Sequence, residues 1–269
     1  MTPHPTSSLV VATYNWPEAL GAVLASVRAQ RVLPTEVVVA DDGSGEPTRR
    51  VVEAAARDFP CPLVHVWHPD EGFKLAQIRN KAVARARGEY VIQIDGDMVL
   101  HPAFVLDHLD AALPGFFVGG SRALLDADAS RRVLAGGRLP GLLSAGVRNR
   151  LNALHLPPVG RALGAFVSAG GLRRVRGGNM GFWRSDFVLV NGYDEAFVGW
   201  GREDTDLVGR FYRRGLRRRW FKLRGVAWHL HHREASRTSL GRNDDILERA
   251  LASGRDRCEV GIDQYLGAA

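Results

Sequence analysis

The chain has 269 residues, of which 45% are hydrophobic and 24% charged, and it carries a formal net charge of +7. This composition excludes wholesale disorder and fits one large or two small packed domains. No run of about 18 apolar residues occurs, which argues against a membrane-spanning helix. The two cysteines, Cys61 and Cys258, are too few for a disulfide framework or a cysteine zinc site. The positive charge points to a nucleic acid, an acidic membrane surface or an anionic small ligand as partner.

The start of the chain bears on its location. Its first residues, MTPHPTSS, lack the charged and apolar regions of a signal peptide. We therefore expect a cytoplasmic protein.

The first half of the sequence alternates short apolar strands with helices. The strands are predicted over residues 8–13, 35–41, 62–67 and 89–95, and the helices from Pro17, from Pro47 and over 74–87. Proline favours the first turn of a helix, which supports the two helix starts. Continuous apolar strands separated by helices predict an α/β fold, with a mixed, mainly parallel sheet covered by helices on both faces. In such sheets ligands bind beyond the carboxyl ends of the strands.

Polar residues follow three of these strands, where a ligand is expected. Asp95 and Asp97 come directly after the fourth strand, and two carboxylates this close repel each other unless a cation lies between them. A divalent cation held by carboxylates and substrate phosphates would satisfy both. Asp41 and Asp42 also suit an ordinary turn before glycine. The strand-end residues are Thr13, Tyr14, Asn15, Asp41, Asp42, Asp95 and Asp97.

Two stretches further along the chain carry candidate binding residues. Two glycines precede Asn179, so the backbone there can approach a ligand closely, and the amide offers both a donor and an acceptor. An ordinary turn is the alternative at this position. Trp200 and Gly201 then lead into an acidic stretch that contains Glu203 and Asp204. Acids at a helix start favour the helix dipole, which explains the acids but not the preceding tryptophan and glycine.

Histidines are concentrated near residue 230. His229 and His231 would share one face of an extended strand, and His232 follows them. A zinc hydrolase is one use of such a cluster. The sequence lacks the HExxH helix and the cysteine partners of a zinc site, so a different metal role is favoured.

The ordered set of strand-end motifs resembles a family 2 glycosyltransferase with a GT-A fold. Each motif is weak alone, but four in this order at these spacings are specific, and they cover roughly residues 8–230. The segment around Trp200 resembles the C-terminal portion of galactosyltransferase-like enzymes, including the chondroitin-polymerase type. The motifs are Thr13-Tyr14-Asn15, Asp41-Asp42-Gly43-Ser44, Gly72 with Arg79-Asn80, and Asp95-Gly96-Asp97.

The resemblance implies a nucleotide-diphosphate-sugar donor, by default a UDP-sugar. Asp41 or Asp42 would bind the uracil or ribose, and Arg79 would face the diphosphate. Asp97 and a downstream histidine, for which His229 is favoured over His231 and His232, would bind Mn²⁺ or Mg²⁺. The implied donor-binding residues are Thr13, Tyr14, Asn15, Asp41, Asp42, Arg79 and Asp95.

The resemblance also implies an acceptor site and a mechanism. Asp204 would act as the general base of an inverting transfer to a hydroxyl of a glycan or lipid-linked acceptor, with Glu203 as its acceptor-binding partner. Arg202 stands where some relatives have glycine, which puts acceptor contacts there in question. An enzyme of this kind would serve cell-envelope or exopolysaccharide synthesis. The implied acceptor-binding residues are Asn179, Trp200, Gly201 and Glu203.

The charge is sorted along the chain. Residues 1–128 carry a net charge of −5 and residues 129–269 one of +12. We expect the nucleotide-sugar-binding half of a single domain over residues 1–128 and the acceptor-binding and catalytic half over 177–240, followed by a C-terminal tail over 241–269. The arginine-rich segment over 129–176 has two interpretations that stay open: a lid over the site, or a peripheral contact with the anionic inner face of the cell membrane.

Two other classes of function remain as alternatives. A nucleotidyltransferase that makes nucleotide sugars shares the parallel sheet and the metal carboxylates, but it usually opens with a glycine-rich, basic loop where this chain has Thr13-Tyr14-Asn15-Trp16. A non-catalytic nucleic-acid-binding protein would use the arginines. The acidic strand ends argue against it because they would repel phosphate without a metal.

Overall fold

The first strand, β1 (Ser7–Thr13), is buried on both of its faces. Leu9 and Val11 pack into one core, and Val10 and Ala12 pack into another, because successive side chains of a strand point to opposite faces. A helix-covered core on each face therefore explains why this strand is continuously apolar.

The computed structural model describes residues 3–164, 167–168, 171–172, 175–233 and 236–267. Arg173 and Arg174 of the arginine-rich segment lie outside the described residues, as do the first two residues of the chain.

The predicted alternation of strands and helices in the first half is confirmed. Pro17 begins the first helix, and Glu46, directly before Pro47, begins the second. The elements are β1, α1 (Pro17–Arg28), β2 (Glu36–Asp41), α2 (Glu46–Ala56), β3 (Leu63–Trp67), α3 (Leu75–Arg85), β4 (Tyr90–Asp95), β5 (Met98–Leu100), α4 (Phe104–Leu109), β6 (Phe116–Gly119) and β7 (Ala123–Leu125).

The second half contains shorter strands between its helices. Asp126 caps the helix that follows β7, since its side chain accepts a hydrogen bond from the Ala129 N–H. The elements are α5 (Ala127–Leu134), β8 (Val147–Arg148), a 3₁₀ helix (Arg150–Ala153), α6 (Pro157–Gly164), β9 (Val167–Ser168), β10 (Asn179–Trp183), α7 (Arg184–Leu189), α8 (Glu203–Arg213), β11 (Arg217–Arg219), β12 (Ala227–His229), α9 (Leu240–Ala252) and a second 3₁₀ helix (Ile262–Tyr265).

Within the described residues the strands form a sheet of eight and a sheet of four. The larger sheet has the order β3-β2-β1-β4-β10-β6-β11-β9, and the smaller one has the order β5-β12-β7-β8. Strands β3, β2, β1 and β4 are mutually parallel, whereas β10 runs antiparallel to both β4 and β6. The mixed, mainly parallel sheet that the sequence predicts is therefore present.

Helices cover both faces of the larger sheet. Helices α1, α2 and α4 pack on one face with Leu20, Val52 and Phe104, and helices α3, α7 and α8 pack on the other with residues such as Ile78 and Phe187. A third core lies between the smaller sheet and α5. Each fully buried aliphatic or aromatic side chain contributes roughly 1.5–3 kcal/mol of transfer free energy.

The arginine-rich segment is integrated into the fold where it is described. Strand β8 pairs with β7 in the smaller sheet, and β9 pairs with β11 at the edge of the larger one. The C-terminal tail contains helix α9, which begins at Leu240. Among the described residues, no helix combines the length and the apolarity that crossing a membrane requires.

Candidate active site

The carboxyl ends of three parallel strands meet at one edge of the larger sheet. Thr13 of β1 is in register with Asp41 of β2, and Ala12 is in register with Asp95 of β4. The backbone continues these pairings beyond the strands, because the Asp42 N–H donates to the Thr13 carbonyl at 3.0 Å. The predicted strand-end residues are therefore neighbours in space, at the place where such sheets bind ligands.

Asp97 and two histidines form a cluster beside this edge. Strand β12 runs antiparallel to β5, and the Leu230 N–H donates to the Asp97 carbonyl at 2.9 Å, which places His229 next to Asp97. His229 Nε2 and His232 Nε2 lie 3.4 Å and 3.1 Å from Asp97 Oδ2. One candidate ligand atom from each of the three residues lies within 4.8 Å of the others.

This cluster fits a divalent cation. Asp97 Oδ1 is buried and accepts no hydrogen bond, so a carboxylate oxygen is left for a ligand. Burial lowers the pKa of His229 to about 4, which keeps the imidazole in the neutral form that binds metal. The hydrogen bond that Asp97 accepts from His232 raises the pKa of His232. His231 points elsewhere: its side chain is exposed, and its N–H donates to Ser130 Oγ at 2.7 Å.

Arg79 binds a group of three carboxylates rather than facing open space. Its guanidinium is 1% exposed, with Nη2 at 2.9 Å from Asp95 Oδ1 and Nη1 at 3.2 Å from Asp204 Oδ1. Nη1 also lies 3.5 Å from Glu203 Oε1. Both terminal nitrogens are directed at carboxylates, and the expectation that Arg79 also faces the diphosphate stays a prediction. Its contacts give it a role in holding Asp95, Glu203 and Asp204 together.

Asp204 is fixed by three donors and keeps one free acceptor position. Its Oδ1 accepts from Arg79 and, at 3.1 Å, from the Tyr193 hydroxyl. Its Oδ2 accepts only the Gly177 N–H, at 2.6 Å. Each carboxylate oxygen has two lone pairs, so Oδ2 can accept one more hydrogen bond. The side chain is 18% exposed, which leaves that position open to a substrate hydroxyl.

Two glycines allow the backbone to pass this closely to the carboxylates. A Cβ on Gly177 would overlap Asp204 Oδ1, and a Cβ on Gly178 would overlap Asp95 Oδ2. Any side chain at either position would displace a carboxylate. The sequence predicts a close backbone approach to a ligand here, and the structure shows a close approach to the acids of the site.

Glu203 is the most deeply placed of the three acids. Its side chain is 10% exposed, and its Oε2 accepts no hydrogen bond. Burial, followed by the charge of Asp204, raises the pKa of Glu203 to about 8. Glu203 is therefore protonated at neutral pH, which lowers the number of negative charges gathered around Arg79.

Asp206, one turn along the same helix, belongs to the frame of the protein. Its Oδ2 accepts from Arg210, and both side chains are buried. The Arg210 guanidinium also donates to the carbonyls of Val190 and Gly192 at 2.6 Å. This buried pair ties α8 to the loop that carries Tyr193.

Asp41 and Asp42 are buried at the end of β2. Asp41 Oδ2 is bonded to His65 Nε2 at 2.9 Å, and Asp42 Oδ1 is bonded to His68 Nε2 at 2.7 Å. Asp42 Oδ2 also accepts the Lys74 N–H at 2.9 Å. These contacts order the turn after β2, and they give both acids partners within the protein.

The residues after β1 form the rim of the strand-end site. Thr13 is buried, whereas Tyr14 is 49% exposed and its hydroxyl donates to Asp70 Oδ2 at 2.9 Å. Asn15 adopts a positive φ of 45°, and its Oδ1 accepts the Gly45 N–H at 2.9 Å. The exposed ring of Tyr14 therefore lies at the edge where the strands end.

Asn179 has its hydrogen-bonding groups occupied inside the protein. Its Nδ2 donates to the carbonyls of Ser121 and Gly225, each at 3.0 Å, and its Oδ1 is bonded to His108 Nε2 at 3.0 Å. The residue is 3% exposed. These contacts make Asn179 a link between β10 and two loops, and its binding of an acceptor stays a prediction.

The loop around Trp200 is held from below by the C-terminal helix. Asn243 of α9 is buried, and its Nδ2 donates to the carbonyls of Val198 at 3.2 Å and Gly201 at 2.9 Å. The Trp200 ring is 40% exposed, and the Arg237 guanidinium lies 5.1 Å from the ring centre. Trp200 is thus presented on a braced loop directly before the acids of α8.

Arg202 takes a conformation that favours glycine. Its φ is 80°, in the left-handed region, and its side chain forms an ion pair with Asp244 of α9. A glycine would adopt this conformation without the strain that a side chain brings.

Solved structures share this fold. TarS of S. aureus, solved with UDP, is 16% identical and superposes with a TM-score of 0.62, covering 98% of this chain and 70% of that chain. The mannosyltransferase of Pyrobaculum calidifontis, solved with GDP-Man and Mn²⁺, is 16% identical with a TM-score of 0.58, covering 94% of this chain and 74% of that chain. These likenesses show that the chain has a fold of the GT-A class.

The sequence places the chain within that class. Residues 8–188 match the profile of glycosyl transferase family 2, and residues 160–233 match that of the N-terminal domain of galactosyltransferase. The chain belongs to glycosyl transferase family 2. This membership confirms the predicted class of enzyme, a glycosyltransferase, and argues against a nucleotidyltransferase.

Curated relatives are longer than this chain. Chondroitin synthase of Escherichia coli is 28% identical over 225 residues, which cover 77% of this chain and 32% of that protein. Validoxylamine A glucosyltransferase of Streptomyces hygroscopicus subsp. limoneus is 30% identical over 239 residues, covering 79% and 49%. Hyaluronan synthase of Pasteurella multocida is 25% identical, covering 79% and 23%. The chain thus spans from about a quarter to a half of the length of these relatives.

Three residues of the site had no role assigned from the sequence. Tyr193 orients Asp204, and Asn243 braces the Trp200 loop. Arg122 lies beside Gly178, with its Nη1 3.3 Å from where a Cβ of that glycine would be. His232 was an alternative to His229 in the sequence, and the structure places both histidines beside Asp97.

Proposed function

We propose that the protein is a metal-dependent, inverting glycosyltransferase that moves a sugar from a nucleotide-diphosphate donor to a hydroxyl of a glycan or lipid-linked acceptor. One observation carries this proposal. Asp204 Oδ2, which has a free acceptor position, belongs to the set of acids around Arg79. Another member of that set, Asp95, stands two residues before Asp97 of the Asp97–His229–His232 cluster. The proposed proton acceptor and the proposed diphosphate site would thus be neighbours.

The chemistry begins with Asp204. Its Oδ2 accepts the proton of the acceptor hydroxyl as that oxygen attacks the anomeric carbon, on the side opposite the departing diphosphate. Oδ1 stays bonded to Arg79 and Tyr193, so the carboxylate cannot rotate away. General base catalysis of this kind contributes about 10²–10⁴-fold.

The leaving group requires charge neutralisation. Asp97, His229 and His232 would hold a divalent cation, Mn²⁺ or Mg²⁺, which when bound stabilises negative charge on the diphosphate. The oxygen and nitrogen donors of this set suit Mn²⁺ well. The mannosyltransferase of Pyrobaculum calidifontis was solved with GDP-Man and Mn²⁺, which supports the same pairing here.

For the donor, we infer a UDP-sugar, held by the residues after β1 and β2. TarS was solved with UDP, which supports this choice of nucleotide. The exposed ring of Tyr14 offers an apolar face to a base, and Thr13 and Asn15 line the same edge. Asp41 and Asp42 would act mainly by ordering the turn beneath the nucleotide, because both are bonded to histidines.

The acceptor side would lie toward the basic half of the chain. Trp200 offers an exposed aromatic face, on which a sugar ring can stack, and Gly201 and Glu203 follow it. Residues 147–152 and Lys222 line an open groove of about 650 Å³, whose charged side chains are Arg148, Arg150 and Lys222. A polyanionic or lipid-linked glycan fits this charge. Relatives named chondroitin synthase and hyaluronan synthase support a role in polysaccharide or cell-envelope synthesis.

The arginine-rich segment, residues 129–176, supports a peripheral contact of the enzyme with the cytoplasmic face of a membrane. Leu143 is 88% exposed and Leu151 is 75% exposed, among arginines that would meet anionic headgroups. Replacing both leucines by serine should weaken sedimentation with phosphatidylglycerol vesicles, with Leu113→Ser, an exposed leucine outside this segment, as the control. Equal sedimentation of all three proteins would favour the lid interpretation of the segment instead.

The experiment for the function is a screen of nucleotide sugars. The protein is incubated with a panel of UDP- and GDP-sugars and Mn²⁺, and release of the nucleoside diphosphate is measured with and without EDTA. We expect release from at least one donor, and its loss with EDTA. Release that EDTA leaves unchanged would contradict metal dependence, and no release from any donor, with or without glycan acceptors, would contradict the proposal.

A further inference from the structure

Arg122 is a basic side chain beside Gly178 and Asp95, and the described residues give its guanidinium no ion-pair partner. It lies between β6 and β7, and its carbonyl accepts a hydrogen bond from Asn152 Nδ2 at 2.9 Å, which fixes its backbone. Its Nε is buried and makes no hydrogen bond. Among the described residues, no carboxylate oxygen lies within ion-pair distance of its guanidinium, 4.0 Å. The charge of Arg122 acts on Asp95 without forming an ion pair, so the guanidinium nitrogens can still donate to an anion from outside the protein.

The position of Arg122 is next to the proposed donor chemistry. Gly178 separates it from Asp95, since a Cβ at that glycine would meet both Asp95 Oδ2 and Arg122 Nη1. Its charge also acts on His229 and His232 of the metal cluster. Arg122 is thus a fixed cation beside the three residues that would hold the metal.

Arg176 is a second basic side chain near the proposed base. It directly precedes Gly177, whose N–H donates to Asp204 Oδ2, and burial followed by the charge of Arg122 lowers the pKa of Arg176. The two guanidinium groups repel each other, and a multiply charged anion bound beside them would relieve that repulsion. Arg79 cannot fill that place, because Asp95 and Asp204 engage both of its terminal nitrogens.

We propose that Arg122, assisted by Arg176, binds the diphosphate of the donor and stabilises it as the leaving group. This inference rests on the proposed function and changes the cation assigned to the diphosphate from Arg79 to Arg122. The planar guanidinium can donate two parallel hydrogen bonds to phosphate oxygens, which a lysine cannot.

The test measures the affinity of the full chain for UDP and for GDP by calorimetry, in the presence of Mn²⁺. Arg122→Gln removes the charge, and Arg122→Lys keeps the charge but not the fork. Arg138→Gln, an exposed arginine in the same basic half, makes the same change of charge away from the site. Binding of Mn²⁺ alone is followed by electron paramagnetic resonance.

Arg122→Gln should weaken binding of the nucleoside diphosphate about 10- to 100-fold, and Arg122→Lys should give an intermediate loss. Mn²⁺ alone should bind as tightly as to the wild type or more tightly, because a repelling cation is gone. Arg138→Gln should match the wild type in both measurements.

Three results would count against the account, in different ways. Undiminished nucleoside diphosphate binding by Arg122→Gln would overturn the inference alone. If Arg122→Gln lost Mn²⁺ binding and nucleotide binding together, and Arg122→Lys restored neither, Arg122 would have a structural role and the inference would also be overturned. A wild-type protein that binds neither UDP nor GDP would instead overturn the proposed function.

Discussion

The Tyr193 hydroxyl donates a hydrogen bond to Asp204 Oδ1 across 3.1 Å. Tyr193 is itself fixed, since Gln93 Nε2 donates to its hydroxyl oxygen at 2.8 Å and to the Gly177 carbonyl at 2.8 Å. Burial raises the pKa of Tyr193 well above its usual value, so the hydroxyl keeps its proton and remains a donor. The proposed base is therefore oriented from the central strand β4.

Tyr193→Phe should lower kcat about 10-fold and leave the affinity for the nucleoside diphosphate unchanged. One hydrogen bond to a charged group, worth about 1.5–3 kcal/mol, is removed while the ring and its packing stay. Steady-state kinetics and calorimetry measure the two effects. Tyr212→Phe is the matched control, because the buried Tyr212 hydroxyl makes no hydrogen bond. Equal kinetics for the two variants would contradict an orienting role for Tyr193.

His229→Ala should reduce the affinity for Mn²⁺ at least about 10-fold, because one of three protein ligands is lost. His231→Ala is the control, since His231 is exposed and lies outside the cluster. Electron paramagnetic resonance of bound Mn²⁺ distinguishes them. If His231→Ala weakens Mn²⁺ binding as much as His229→Ala does, the ligand assignment is wrong.

Glu203 should make stability depend on pH. Its pKa is raised from 4.5 to about 8 on folding, so between these values the folded state holds a proton that the unfolded state has released. The free energy of unfolding should therefore fall as pH rises from about 4.5 to 8, by on the order of 1 kcal/mol or more. Glu203→Gln, which stays neutral, should lose this decline and exceed the wild type in stability above pH 8. Urea denaturation of both proteins at a series of pH values measures the effect, and parallel curves would contradict it.

Much of the fold could be predicted because its signals are local. The apolar strands and the proline-led helices of the first half follow from residues adjacent in sequence, as at Pro17. The placement of Asp97 with His229 was also accessible, because a carboxylate after a strand and a histidine run are each recognisable metal-ligand patterns.

The remaining contacts depend on distances along the chain that no local pattern encodes. Arg79 meets Asp204 across 125 positions, so its motif gave no sign that the guanidinium is turned toward carboxylates. Asn179 is occupied by carbonyls of Ser121 and Gly225, which are brought together only by the pairing of β10 with β6 and the neighbouring loop. The hydrogen-bonding groups of Arg79 and Asn179 are engaged by residues distant in sequence, and a local motif does not show those partners.

The central claim is that Asp204 is the base of the transfer. Asp204→Asn keeps the size of the side chain but removes its ability to take a proton. Asp206→Asn does not serve as a control, because it would break the buried pair with Arg210. The measurement is transfer rate with the donor found in the screen, alongside calorimetry of the nucleoside diphosphate. We expect the transfer rate to fall about 10²–10⁴-fold while binding of the nucleoside diphosphate is retained. Transfer at the wild-type rate by Asp204→Asn would contradict it.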